Sequence, residues 1–129
     1  ATVHCSGTLA AHEEGRRIDH SSARARVCSR SAHAQPLYAG FDAVGLQYGP
    51  GYRTLVKAWG GSTDALARLR ARSTHEGTQV HPANLDDALC MSAAMASSGG
   101  GETRLPFAVD DALLQGAPGE LWAVCSCNH

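Results

Sequence analysis

No stretch of this sequence approaches the roughly eighteen consecutive apolar residues that a membrane-spanning helix needs, and the N-terminus lacks a charged-then-apolar signal pattern. The expected compartment is therefore the cytoplasm, with no membrane partner. Lysine is almost missing, Lys57 being the only one, and eleven Lys and Arg against twelve Asp and Glu leave a formal charge of -1. That balance excludes a general attraction to nucleic acid. A complete set of cysteine pairs is lacking too. Cys5, Cys28, Cys90, Cys125 and Cys127 are odd in number and follow no secretion signal, which points to free thiols instead of a disulfide framework. Charged residues are few, 18% against 43% apolar, so overall disorder is excluded and 129 residues fit one folded unit with one core.

What is present divides into three stretches. Val3, Cys5 and Leu9 occupy odd positions between Thr2, His4 and Ser6, which predicts a short strand over residues 1–9. Residues 10–34 are rich in Ser, Arg, His and Glu, with Ile18, Val27 and Cys28 as the candidates for burial, and read as an exposed linker. Residues 35–129 hold the patterned elements. Pro36 suits a first helical turn, and Leu37, Tyr38, Phe41 and Val44 continue at helical spacing until Gly45, predicting a helix over 35–43. Tyr48-Gly49-Pro50-Gly51-Tyr52 is a turn leading into a strand over 54–59. In 64–72, Leu66 and Leu69 suit a helix, whereas Ala65, Ala67, Leu69 and Ala71 suit a strand, and the flanking strands favour the latter. Leu85, Leu89, Ala93 and Met95 or Ala96 predict a central helix over 84–97, capped by Asn84 and ended by Ser98-Gly99-Gly100-Gly101. Two strands, 105–114 and 120–127, follow around the turn Gly116-Ala117-Pro118-Gly119.

Several motifs bear on chemistry. Cys125-Ser126-Cys127-Asn128-His129, with His4 and Cys5, suggests zinc, but Cys-x-Cys is not the C-x-x-C of common structural sites, and alternation alone puts both thiols on one face of a strand. No metal site is expected. Ser6-Gly7 and Ser98-Gly99 lack the setting of a hydrolase elbow, and Gly99 to Gly101 follow a helix instead of opening one, so esterase and phosphate-loop chemistry are not supported. Asp86 and Asp87 sit where acidic residues are common for the sake of the helix dipole.

Leu46-Gln47-Tyr48-Gly49-Pro50-Gly51-Tyr52-Arg53, then Val80-His81-Pro82-Ala83-Asn84-Leu85-Asp86-Asp87-Ala88-Leu89, then Leu105-Pro106-Phe107, in this order, resemble the second half of the dehydratase domain of modular polyketide synthases. The matching stretches are similar to that family's Tyr-Gly-Pro-x-Phe-Gln turn, its His-Pro-x-x-Leu-Asp-x-x-Leu segment and its Leu-Pro-Phe strand, and span about two-thirds of the chain. The resemblance implies an α+β hot-dog fold, an antiparallel sheet wrapped around a central helix, as part of a double hot dog. Residues 1–9 would then close the first hot dog, 10–34 would link, and 35–129 would form an incomplete second one.

The resemblance further implies removal of water from a 3-hydroxyacyl chain carried on the phosphopantetheine of an acyl carrier protein, with no other cofactor and with neighbouring synthase domains as partners. Asp86 would be the catalytic acid. Its partner, a histidine base in a His-x-x-x-Gly-x-x-x-x-Pro motif, is not in this sequence, so the isolated chain is expected to be inactive. Tyr48, Gly49, Pro50, His81, Pro82 and Cys90 would line the substrate site, with His81 shaping the turn before the helix. Two residues depart from the pattern. Cys90 replaces the Gln or His that fixes the aspartate, and a thiol is a weak donor and acceptor. Arg53 replaces a glutamine, and solvation suits it better than contact with a phosphopantetheine phosphate. The rival reading is a non-catalytic hot-dog scaffold, and isomerase, cyclase and product-template chemistry use the same framework. Asp86 is expected to face a cavity and Asp87 solvent, since adjacent helical residues point about 100° apart. An incomplete sheet would leave apolar helix surface uncovered, favouring a homodimer.

Overall fold

Alternation of small and large apolar residues builds the sheet at the centre of the molecule. The computed structural model describes residues 2–3, 6–8, 10–11, 19–27, 31–72, 77–78, 80–91, 109–110, 112–113 and 120–126. Four antiparallel strands lie in the order β1 (Ser31–His33), β2 (Leu55–Gly60), β3 (Asp64–Leu69) and β4 (Leu121–Ser126). In β3, Ala65, Ala67 and Leu69 point to one face and Leu66 to the other, and all four are buried. The strand reading of this stretch therefore holds, and the sheet is covered on both sides. Strand β2 carries a register shift between Leu55 and Lys57, with Val56 left exposed. That bulge lets Leu55 and Ala58, three positions apart, share one face while Trp59 takes the other.

On the first face lie α2 (Ala34–Ala43) and α3 (Pro82–Cys90), which add Tyr38 and Met91 to a core of Leu55, Ala58, Ala65, Ala67 and Leu69. Full burial of each leucine is worth about 2 kcal/mol, so this face supplies much of the driving force for folding. Helix α2 stops where the sequence places the stop. Gly45 has φ +87, its N–H donates to Asp42 O at 3.0 Å, and Leu46 N–H donates to Phe41 O at 2.9 Å. These two bonds form a Schellman cap, whose left-handed position glycine fills without Cβ strain.

The opposite face is covered by α1 (His20–Val27), which lies within the segment read as an exposed linker. Asp19 starts it, accepting from Ser21 N–H at 2.9 Å and from Ser22 Oγ at 2.6 Å. Ala23 and Val27, one turn apart, are buried against Trp59 and Leu66, and Arg24 sits 5.3 Å from the centre of the Trp59 ring. Two apolar residues on one stripe suffice for burial, which is why composition alone misses this helix.

Other expectations differ in detail. Of residues 1–9, Thr2, Val3, Ser6, Gly7 and Thr8 are described, and none of them lies in a strand; Val3 is exposed. Helix α3 begins at Pro82, two residues before the expected cap, and is followed from Cys90 by Met91 in a 3-10 turn, with 92–100 outside the described residues. Its cap is His81, whose Nδ1 accepts from Ala83 N–H at 3.1 Å, because proline fits the first helical position and places the residue before it in extended conformation. Asn84 is buried and donates from Nδ2 to Arg70 O at 3.1 Å. The strand expected over 105–114 falls mostly outside the described residues, and so does the turn 116–119; β4 occupies most of the stretch expected for the last strand.

Candidate functional site

Helix α3 buries a face different from the one its leucines suggest. Ala83, Asn84, Asp87 and Met91 point inward, whereas Leu85 is exposed. These inward positions are themselves spaced at three and four, so helical geometry is satisfied and the choice of face is made by polar anchors. Asp87, expected in solvent, is fully buried. Tyr38 Oη donates to both of its carboxylate oxygens at 2.8 Å, Thr54 Oγ1 donates at 2.6 Å, Leu55 N–H at 3.2 Å, and Thr54 N–H donates as well. Leu55 N–H also reaches Tyr38 Oη at 3.0 Å. Helix α2, the start of β2 and α3 are thus joined at one carboxylate. Burial and the adjacent Asp87 charge push the Tyr38 hydroxyl well above its ordinary range, so the phenol stays protonated and donates. A buried carboxylate is tolerated because its oxygens are supplied with donors.

Asp86, the next residue along, is half-buried. The turn after α2 carries Tyr48, Gly49 and Pro50, the last opening a 3-10 turn over Pro50–Tyr52. Tyr48 packs in an aromatic cluster, its ring 5.6 Å from Tyr38 and 5.5 Å from Phe41, and its hydroxyl meets Cys90 Sγ at 2.8 Å. Asp86 acts electrostatically on both Tyr48 and Cys90. Burial is the largest influence holding the Tyr48 hydroxyl above its usual range, helped by Cys90 and Asp86. Burial also raises the Cys90 thiol; the Tyr48 hydrogen bond opposes this, the charges of Asp86 and Asp87 add to it, and the net direction is up. Both groups are therefore neutral at physiological pH.

The remaining expected residues are placed as follows. Pro82 is exposed at the start of α3. The His81 ring is buried, and its Nδ1 is engaged as the helix cap. Gly49 and Pro50 are exposed in the turn. Because α3 starts at Pro82, Asp86 lies beyond its first turn. A pocket of about 260 Å³ opens beside the same turn, lined by Pro50, Gly51 and Thr54 with Arg53, Arg70 and Arg72; Asp86 is not part of its wall. No cluster of three or more metal-ligating side chains occurs among the described residues, and Cys127 and His129 lie outside them. Sequence reasoning missed Asp87 and its partners Tyr38 and Thr54. The available signal was that position 87 shares a helical stripe with 83, 84 and 91.

Comparison with known proteins gives this arrangement a context. A family model described as the polyketide synthase dehydratase N-terminal domain matches residues 16–128. The chain is 32% identical over 126 residues to polyketide synthase ThaG of Burkholderia thailandensis, covering 93% of this chain and 2% of that protein. It is 29% identical over 110 residues to polyketide synthase PksN of Bacillus subtilis, covering 81% and 2%. The chain thus spans a small part of the synthases it matches. Its fold is similar to the dehydratase domain from the CurF module of the curacin polyketide synthase, with a TM-score of 0.74, 20% identity, and coverage of 91% of this chain and 44% of that one. A trans-AT polyketide synthase dehydratase domain from Brevibacillus brevis is 30% identical with a TM-score of 0.58, over 70% of this chain and 33% of that one.

The description of the family model assigns the N-terminal hot-dog half, which replaces the second-half placement drawn from motif order. In the double hot dog that the resemblance implies, each half would be a sheet around a helix, so the plan of strands and helix does not distinguish them. With residues 16–128 of its 129 matched, the chain belongs to the polyketide synthase dehydratase family.

Proposed function

We propose that this chain supplies the acid side of a dehydratase site acting on a 3-hydroxyacyl thioester carried on an acyl carrier protein. A histidine from outside these residues removes the α-proton; the bond from the β-carbon to the hydroxyl breaks, Asp86 gives that oxygen a proton, and water leaves as the double bond forms. The observation that carries this reading is the Tyr48–Cys90 contact, which joins the helix that carries Asp86, one turn before Cys90, to the Tyr-Gly-Pro turn. The CurK dehydratase, similar in fold, has an inactive mutant in which histidine is replaced by phenylalanine and another in which aspartate is replaced by asparagine. Carrier protein and neighbouring synthase domains are the partners of this reading, which requires no metal. In the complete polypeptide, Asp86→Asn should abolish dehydration of a 3-hydroxyacyl carrier-protein substrate while leaving the melting temperature within a degree or so. Retained turnover would remove Asp86 from the mechanism.

The second reading is a non-catalytic scaffold within a synthase. It is favoured by Cys90, whose neutral thiol is a poor substitute for the Gln or His that would hold the aspartate. Catalysis by the unaltered polypeptide decides against it. If that polypeptide is inactive and Cys90→Gln restores turnover, the scaffold reading stands and the loss of function is traced to this one position.

A further inference from the structure

Helix α3 is held to its surroundings by polar side chains three residues apart. Asn84 Nδ2 donates to Arg70 O at 3.1 Å, Asp87 accepts from Tyr38, Thr54 and Leu55, and Cys90 Sγ meets Tyr48 Oη at 2.8 Å. At about 100° per residue, these three stand about 60° apart around the helix axis, and Asp86 stands about 40° beyond Cys90, on the side away from Asp87. The anchor nearest Asp86 is therefore the weakest, since a thiol is a poor donor and acceptor. The anchor at Asp87 is the strongest. Its donors come from α2 and from Thr54 and Leu55 at the start of β2, so the carboxylate is gripped from two elements and resists rotation of the helix. Tyr38 links the two anchors: its hydroxyl donates to Asp87 while its ring lies 5.6 Å from that of Tyr48.

Rotation of this helix bears directly on the acid. A helical side chain reaches about 5–6 Å from the axis, so a turn of about 10° carries a carboxyl about 1 Å. Misplacement of a catalytic group by that much costs up to about a hundredfold in rate. We propose that Asp87 is a positioning residue for Asp86: its bonds to Tyr38 and Thr54 fix the rotation of α3, and so supply the orientation that Cys90, standing in place of a Gln or His, supplies weakly. Asp87 itself touches no reacting atom. This role presupposes the dehydratase reading, in which Asp86 is the acid.

The test places Tyr38→Phe and Thr54→Val, each of which removes one hydroxyl and nearly keeps the shape, in the complete polypeptide with and without Cys90→Gln. Turnover is measured under conditions in which the unfolding curve of each variant shows it folded. With Cys90 unchanged, each substitution should lower kcat about tenfold and leave KM within about twofold, because groups that bind substrate stay in place. Combined with Cys90→Gln, the same substitutions should cost about threefold or less, since a second hold on Asp86 makes the clamp redundant. Thr54→Ser should recover most of the turnover that Thr54→Val loses. A weaker fold alone would lower activity equally with and without Cys90→Gln, so equal losses would overturn the proposal, as would a change confined to KM. A polypeptide inactive until Cys90→Gln is introduced would overturn it too, since the clamp would have failed to orient the acid. If no variant dehydrates, the reaction falls and the clamp is read from Cys90 alone. Iodoacetamide should then alkylate Cys90 about fivefold faster in folded Tyr38→Phe than in the unaltered polypeptide, through a helix freer to turn, and equal rates would overturn the proposal.

Discussion

Replacing Asp87 by alanine should be among the most damaging single changes to the described structure. Its carboxylate accepts from Tyr38 Oη, Thr54 Oγ1, Thr54 N–H and Leu55 N–H, all buried. Leu55 N–H keeps an acceptor in Tyr38 Oη, so three donors lose theirs. A buried donor left unsatisfied costs roughly 1–3 kcal/mol, and the two hydroxyls regain part of this by rotating toward water or other acceptors. Thr54 N–H cannot rotate. The expected loss is therefore about 3–5 kcal/mol, a large fraction of a domain's total stability. Tyr38→Phe removes one donor and leaves the carboxylate its partners at Thr54 and Leu55, so it should cost about 1 kcal/mol. Urea unfolding of the complete polypeptide, followed by tryptophan fluorescence, gives both values and that of the double variant. Since both residues share one network, the double variant should fall short of the sum by about 1 kcal/mol or more. A loss below about 1 kcal/mol for Asp87→Ala, or strict additivity, would show that the network does not hold the helix.

Further outcomes follow from the neighbouring contacts. Cys90 should react with iodoacetamide more slowly at pH 8 than an unfolded cysteine, read by mass spectrometry of its peptide, because its folded pKa is raised. The sign for stability follows: a raised value means the folded state holds the proton more tightly, so this contribution is complete below the unfolded thiol value of about 8.5 and is lost as pH climbs through the folded one. Alkylation as fast as in urea would contradict the burial that causes the shift. His81→Ala should destabilise the fold by about 1 kcal/mol through loss of the cap, and His81→Asn should restore most of it; failure of asparagine to rescue would assign the effect to ring packing.

Legibility in the sequence followed the range of the forces involved. Strand β3 was readable because Ala65, Ala67 and Leu69 alternate, and the end of α2 because Gly45 takes a conformation that other residues resist. Both signals are local. Helix α3 was readable as a helix but not in orientation, since Leu85 and Leu89 advertise one apolar stripe while the buried one is fixed by partners far away: Tyr38 lies 49 residues from Asp87 and Thr54 lies 33. Helix α1 was missed for the opposite reason, its buried stripe being only Ala23 and Val27. The expected site residues Tyr48, Asp86 and Cys90 share a neighbourhood, while the arginine pocket needed strand pairing to bring its members together.

Helix α1 carries a mechanical consequence. It is fastened to the sheet by side chains, Ala23 and Val27 against Trp59 and Leu66 with Arg24 over the Trp59 ring, whereas the strands are laced by backbone hydrogen bonds. A pull on the chain ahead of Asp19 reaches α1 before it reaches any strand, and short side-chain contacts release under less load than a ladder of rungs sharing the force. The helix would peel away first, wetting one face of Trp59 and leaving β2, β3 and the carboxylate clamp on the other side intact. Tension applied there would thus be absorbed at a sacrificial contact, and the geometry around Asp86 would be insulated from it.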